Sequence, residues 1–143
     1  MKSRKNKNFE ILAIIPARGG SKSIPKKNIK NLFNKPLLEY SINCAKNSKY
    51  VTRIIVSTDD KKIATMAKKA GAEIPFLRPK KLAKDNSKTI DVIKHAVEFL
   101  NVSESYSPDI ITHLQPTTPF RTSLQLDKSI KLLINSNATS VLG

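Results

Sequence analysis

Apolar residues run almost without a break from Phe9 to Ile15, with Glu10 the only polar member, and the run ends at Pro16. A short continuous apolar run closed by proline predicts a strand buried on both faces of a parallel sheet. Residues 17–35 are rich in Gly, Ser, Lys, Asn and Pro and predict a loop, long enough for a compact domain to be functional. Pro36 suits the first turn of a helix, in which Leu38, Ile42 and Ala45 share one face. Arg53–Ser57 predicts a second strand. Thr58-Asp59-Asp60 then caps a helix carrying Ile63, Met66, Ala67 and Ala70, closed by Gly71.

The alternation continues. Glu73–Leu77 predicts a brief edge strand. A helix starts at or near Thr89, with Ile90, Ile93, Val97 and Leu100 inward and Lys94/Glu98 as an exposed pair one turn apart. Asp109–Leu114 predicts a strand, and Leu126, Ile130 and Leu133 mark a last amphipathic helix. Ala138–Leu142 opens a further strand. Strands alternating with helices of this length predict an α/β fold with a mostly parallel sheet and helices on both faces. The chain ends at Gly143, partway into or just past a strand, which predicts a truncated domain. The organisation expected is a basic arm at 1–8 and one domain from residue 9 onward.

Composition changes this picture only in part. The 143 residues, 39% of them hydrophobic, suffice for one core, and no apolar run approaches the roughly 20 residues of a membrane-spanning helix. A net charge of +15 invites a nucleic-acid partner, yet 21 of the 26 basic residues are Lys, whereas base readout leans on Arg. There is no Trp, and the few Phe and Tyr are scattered, which argues against a stacking platform for single strands. Residues 1–30 hold nine basic residues against one acidic, so the charge concentrates around one loop and fits a small anion. A single cysteine, Cys44, cannot form an internal disulfide and fits a reducing compartment, the cytoplasm.

The chemistry gathers in Ile15-Pro16-Ala17-Arg18-Gly19-Gly20-Ser21-Lys22-Ser23-Ile24-Pro25-Lys26-Lys27-Asn28. This segment follows the first strand, at the carboxyl edge where α/β sheets place ligands. Gly19-Gly20 lets backbone approach a ligand, and Arg18, Lys22, Lys26 and Lys27 bring four positive charges to one loop. That is chemistry for a triphosphate. Neither G-x-x-x-x-G-K-[ST] nor G-x-G-x-x-G matches, which excludes a P-loop NTPase and a dinucleotide-binding domain. Asp59 and Asp60 could pair on a metal, but their place before a helix reads better as capping. His95 and His113 form no zinc pattern and neither is read as a catalytic base.

This loop resembles the signature of the N-acylneuraminate cytidylyltransferases (CMP-sialic acid synthetases). The resemblance continues through Ile54–Asp60, Leu77-Arg78-Pro79 with Leu82-Ala83-Lys84-Asp85, Asp91–Ala96 and Leu114-Gln115-Pro116-Thr117-Thr118-Pro119-Phe120-Arg121. It implies a Rossmann-like nucleotidyltransferase that moves CMP from CTP to a nonulosonic acid, such as N-acetylneuraminic, legionaminic or pseudaminic acid, and releases pyrophosphate. It also implies that Arg18, Ser21, Lys22 and Lys27 hold the phosphates and Arg18, Lys22 and Lys27 act in catalysis. Asn28 would lie near the ribose, Arg78, Ser87 and Thr89 would line the cytosine pocket, and Gln115 would meet the sugar acid. Residue by residue, structural alternatives stand beside these roles: a surface arginine at 78, helix capping at 87 and 89, loop bracing at 115. The resemblance further implies Mg²⁺, with carboxylate ligands beyond residue 143, and a homodimer at full length. Alternatives are a cytidylyltransferase for the eight-carbon KDO sugar and a truncated, non-catalytic nucleotide-binding module.

Overall fold

The computed structural model describes residues 8–20 and 27–142. Its centre is β1 (Ile11–Pro16), whose residues 11–15 are all buried. β1 lies between β4 (Arg53–Ser57) and β5 (Ile110–His113), in the order β4-β1-β5, and both pairings are parallel. A small antiparallel hairpin of β2 (Asn31–Leu32) and β3 (Lys35–Pro36) precedes the first helix and turns through Phe33 and Asn34, both at positive φ.

Because successive side chains on a strand point to opposite faces, β1 feeds two cores. Ile11, Ala13 and Ile15 pack with α1 (Leu37–Lys46), α2 (Lys61–Ala70) and α4 (Ser123–Asn135) on one face. Leu12 and Ile14 pack with α3 (Thr89–Glu104) and Phe76 on the other. Each Ile or Leu buried this way contributes about 1.5–3 kcal/mol, so the mixed pattern of β1 accounts for helices on both faces. The register sets Pro16 opposite Ser57 and Ile14 opposite His113, which brings the carboxyl ends of all three strands to one edge.

The helix ends follow from local chemistry. The Asp60 carboxylate accepts from the backbone N–H groups of Lys62 and Ile63 at 2.7 and 3.1 Å, and Gly71 closes α2 at φ 104°, where a side chain would be strained. Thr122 and Gln125 cap α4 reciprocally. Pro36, expected in the first helical turn, is instead the residue before α1, with ψ 137°.

Three expectations are corrected. Glu73–Leu77 is no strand: Glu73 makes a single parallel bridge to Ile55, and Pro75, with no N–H to donate, ends the pairing. Ala138–Leu142 forms no strand among the described residues, and Leu142 is exposed, since β-branched sequence alone provides no neighbouring ladder. Ile90 faces solvent at 53% exposure, because a helix begun at Thr89 turns Val92, Ala96 and Leu100 to the sheet. No described helix is long and apolar enough to cross a membrane.

Candidate functional site

At the carboxyl edge of the sheet, two loops hang from one strand end. The backbone N–H of Ala17, just past β1, donates to the Ser57 carbonyl at 2.9 Å. From the other side, Arg78 donates through Nη2 to the same Ser57 oxygen at 2.7 Å and through Nε to Ser57 Oγ at 3.0 Å. A third arm from Arg78, Nη1, reaches the carbonyl of Leu82 at 3.3 Å and holds the 3-10 turn Lys80–Leu82. Arg78 is therefore 5% exposed, no surface arginine, and all three hydrogen bonds of its guanidinium end on neutral oxygens. Burial pushes its pKa down; the nearby Asp59 charge opposes that shift and the Arg18 charge adds to it.

The loop after β1 is pinned by α2's own cap. Gly19 N–H donates to Asp59 Oδ1 at 2.8 Å, and a Cβ on Gly19 would lie 2.8 Å from Asp60 Oδ2 and 2.9 Å from Asp60 Cβ. The glycine thus admits the protein's own aspartate, while a Cβ on Gly20 would meet open space. Asn28, buried in the 3-10 turn Lys27–Ile29, donates from Nδ2 to the Arg18 carbonyl at 2.9 Å. This bond ties the two ends of the basic loop together.

Between these loops opens a cleft of about 190 Å³. The expected phosphate residues Arg18 and Lys27 line it, and so does Asn28. Arg78, Ser87 and Thr89, expected around a base, line it as well, and so does Gln115. Ser21, Lys22 and Lys26 lie outside the described residues. Ser87 does not cap α3: the cap position is Lys88, with no side-chain bond, and Ser87 Oγ instead accepts from Lys84 N–H at 3.0 Å. The Gln115 carbonyl accepts from Ser41 Oγ at 3.4 Å and from Thr118 N–H at 3.1 Å, so its backbone braces the loop while the residue lines the cleft.

The block Leu82-Ala83-Lys84-Asp85 entered the sequence reading only as part of the resemblance, with no site role for its last two residues. Lys84 and Asp85 both line the cleft, and Asp85 Oδ1 accepts from Arg18 Nη1. The sequence marked Asp85 as part of a block but not its contact with Arg18; only the fold brings residue 85 to residue 18. Among the described residues no group of three or more His, Cys, Asp or Glu could hold a metal ion. Asp60 caps α2, Asp59 accepts from Gly19, and Asp85 accepts from Arg18.

A family model described as cytidylyltransferase matches residues 12–142. The chain is 41% identical over 123 residues to an N-acylneuraminate cytidylyltransferase of Escherichia coli O18:K1:H7, covering 86% of this chain and 28% of that protein. It is 44% identical over 108 residues to a pseudaminic acid cytidylyltransferase of Campylobacter jejuni, covering 76% and 46%. It is 44% identical over 115 residues to a CMP-N,N'-diacetyllegionaminic acid synthase of Legionella pneumophila, covering 79% and 48%. The chain thus spans from about a quarter to about half the length of these curated relatives. Among solved structures, CMP:2-keto-3-deoxy-manno-octonic acid synthetase complexed with CTP superposes with TM-score 0.72 at 22% identity, over 90% of this chain and 49% of that one. A 4-diphosphocytidyl-2C-methyl-D-erythritol synthase superposes with TM-score 0.67 at 15% identity, over 90% and 56%. At these identities the likeness is one of fold, a Rossmann-like nucleotidyltransferase sheet.

Proposed function

The chain belongs to the cytidylyltransferase family, and from that premise we propose that it forms the nucleotide-binding part of an enzyme that transfers CMP from CTP to a nonulosonic acid. The observation that carries this reading is Arg78: a buried guanidinium on the cleft wall whose hydrogen bonds all end on neutral oxygens. Such a charge is costly to bury, and a ligand carbonyl or anion in the cleft offsets that cost. The cytosine carbonyl is one such acceptor, with Ser87 and Thr89 beside it to read the rest of the base edge.

Arg18 and Lys27, together with Ser21 and Lys22, take the phosphates in this reading. Asn28 fixes the loop's ends and reaches the ribose, and Gln115 meets the sugar acid. In the reaction the sugar 2-hydroxyl attacks the α-phosphorus and gives up its proton to water; a new P–O bond forms as the bond to the β-phosphate oxygen breaks and pyrophosphate departs. Arg18, Lys22 and Lys27 would stabilise the charge that develops on phosphate oxygens, and the cleft would do most of its work by positioning. The Mg²⁺ that the family resemblance implies finds no fitting ligand set among the described residues, and no step here runs through it.

The relatives named for nonulosonic acids are closer in sequence than the octonic acid synthetase, which favours the first class of acceptor. The same proposal holds the whole protein to be a cytoplasmic homodimer. The dimer rests on family resemblance alone; the compartment suits the buried free thiol of Cys44. Calorimetry of the chain with CTP, UTP, ATP and GTP tests the reading. CTP should bind most tightly; equal affinity for all four would overturn the base pocket and leave only a phosphate site.

A further inference from the structure

The cationic side of the cleft already contains an anion. Arg18 Nη1, the group assigned to phosphate, donates to Asp85 Oδ1, with the two side chains 31% and 44% exposed at the cleft mouth. We propose that Asp85 is a positioning residue that occupies the phosphate position on Arg18 in the empty cleft and must be displaced by the incoming ligand. It rests on the phosphate reading of the cleft given above.

The argument is one of space and sign. A carboxylate and a phosphate oxygen cannot accept the same N–H from the same side, and two anions in one small cleft repel. A bound triphosphate therefore takes Arg18 from Asp85, and the carboxylate turns out to water, which its exposure allows. The segment that carries Asp85 follows the 3-10 turn Lys80–Leu82 and closes a turn of its own. In that turn the Ser87 N–H donates to the Lys84 carbonyl at 3.0 Å and the Lys84 N–H to Ser87 Oγ at 3.0 Å, so displacement asks only the exposed carboxylate to turn.

The consequence is a threshold. A multiply charged triphosphate displaces the carboxylate at a net gain, while a ligand with one weak charge gains little. Asp85 thus keeps Arg18 oriented in the empty cleft and lowers the affinity of every ligand that must take Arg18 from it. Charge-assisted pairs at exposed positions are individually weak, so the barrier is low enough to be crossed by every productive ligand.

Calorimetry with inorganic tripolyphosphate, CTP and cytidine on the chain and its Asp85→Asn variant tests this. Asp85→Asn should tighten tripolyphosphate and CTP by about threefold to tenfold and leave cytidine unchanged. Asp85→Glu, which keeps the charge, should bind like the parent. In an Arg18→Ala background the Asp85→Asn gain should shrink to less than about twofold. Weaker binding by Asp85→Asn, or an equal gain with and without Arg18, overturns the proposal. The two readings fail separately. If CTP is preferred but Asp85→Asn gains nothing, only the displacement fails. If Asp85→Asn tightens tripolyphosphate while no base is preferred, only the cytidine reading fails. If neither tripolyphosphate nor CTP binds, both fall.

Discussion

Two arginines, 25 positions apart in sequence, show how differently this molecule treats a positive charge. Arg53 sits at the start of β4, where Nε and Nη2 grip the two oxygens of Glu73 at 2.8 and 3.0 Å and Nη1 meets Glu104 at 2.7 Å. Its guanidinium also lies 4.7 Å from the centre of the Tyr106 ring. The carboxylates of Glu104 and Glu73 push its pKa up, so the charge is neutralised where it stands. Arg78, beyond the opposite end of the same strand, is more buried and bonds only neutral oxygens. The first arginine staples the sheet to α3 and the bridge at Glu73; the second leaves its charge to be answered by something else. The pattern of compensation, more than the residue type, separates scaffold from site.

Substitution can break this contrast, and binding should show the largest effect. Arg78→Ala should weaken CTP by about 10- to 100-fold, the range expected when a charged donor is lost from a buried edge, whereas Arg53→Met should leave CTP within about twofold. Titration calorimetry gives both numbers, and a melting curve on each sample shows whether fold was lost. Comparable losses for the two variants would erase the distinction. Stability should respond the other way: Arg53→Met should cost about 1 kcal/mol, from lost packing on Tyr106 and a partly exposed ion-pair network. Urea unfolding would reveal it as a lower midpoint at unchanged slope.

A smaller effect sharpens the comparison. His95 packs edge-on against Phe76 at 4.7 Å, and its pKa lies below the ordinary 6.5 because of burial first and the Arg78 charge second. A histidine whose folded pKa is depressed supports the fold fully above 6.5 and loses that contribution as pH falls from 6.5 toward the folded value. Removing Arg78 should move the His95 titration upward and flatten the acid side of the stability curve. An NMR titration of the ring protons that left His95 unmoved would show that the Arg78 charge is screened from it.

Legibility in the sequence followed the range of the forces involved. The bounds of β4 and both caps of α2 could be read directly, because an apolar run, an aspartate and a glycine act on their immediate neighbours. The cleft's residue types were legible too, since cations, hydroxyls and an amide fell in the loops after predicted strands. Ile90 was misplaced because the inward face of a helix depends on where it docks, which no local pattern states. The second strand beside Ile55 shrank to one bridge because a proline two residues on outweighed an apolar run. Asp85 and the tethering of Arg78 by Ser57 belong to tertiary structure alone: each joins residues more than 20 positions apart.

That tether has a consequence for how such a site can change over time. One carbonyl oxygen, that of Ser57, receives the backbone of the loop after β1 and the guanidinium of Arg78. A carbonyl belongs to the main chain, so every residue type placed at position 57 supplies it. Side chains along the cleft other than Arg78 can drift toward new ligands while the joint survives, because its acceptor is main chain and only its donor, the Arg78 guanidinium, depends on residue type. The acceptor is inherited through the backbone, and the lining apart from that one arginine is open to revision.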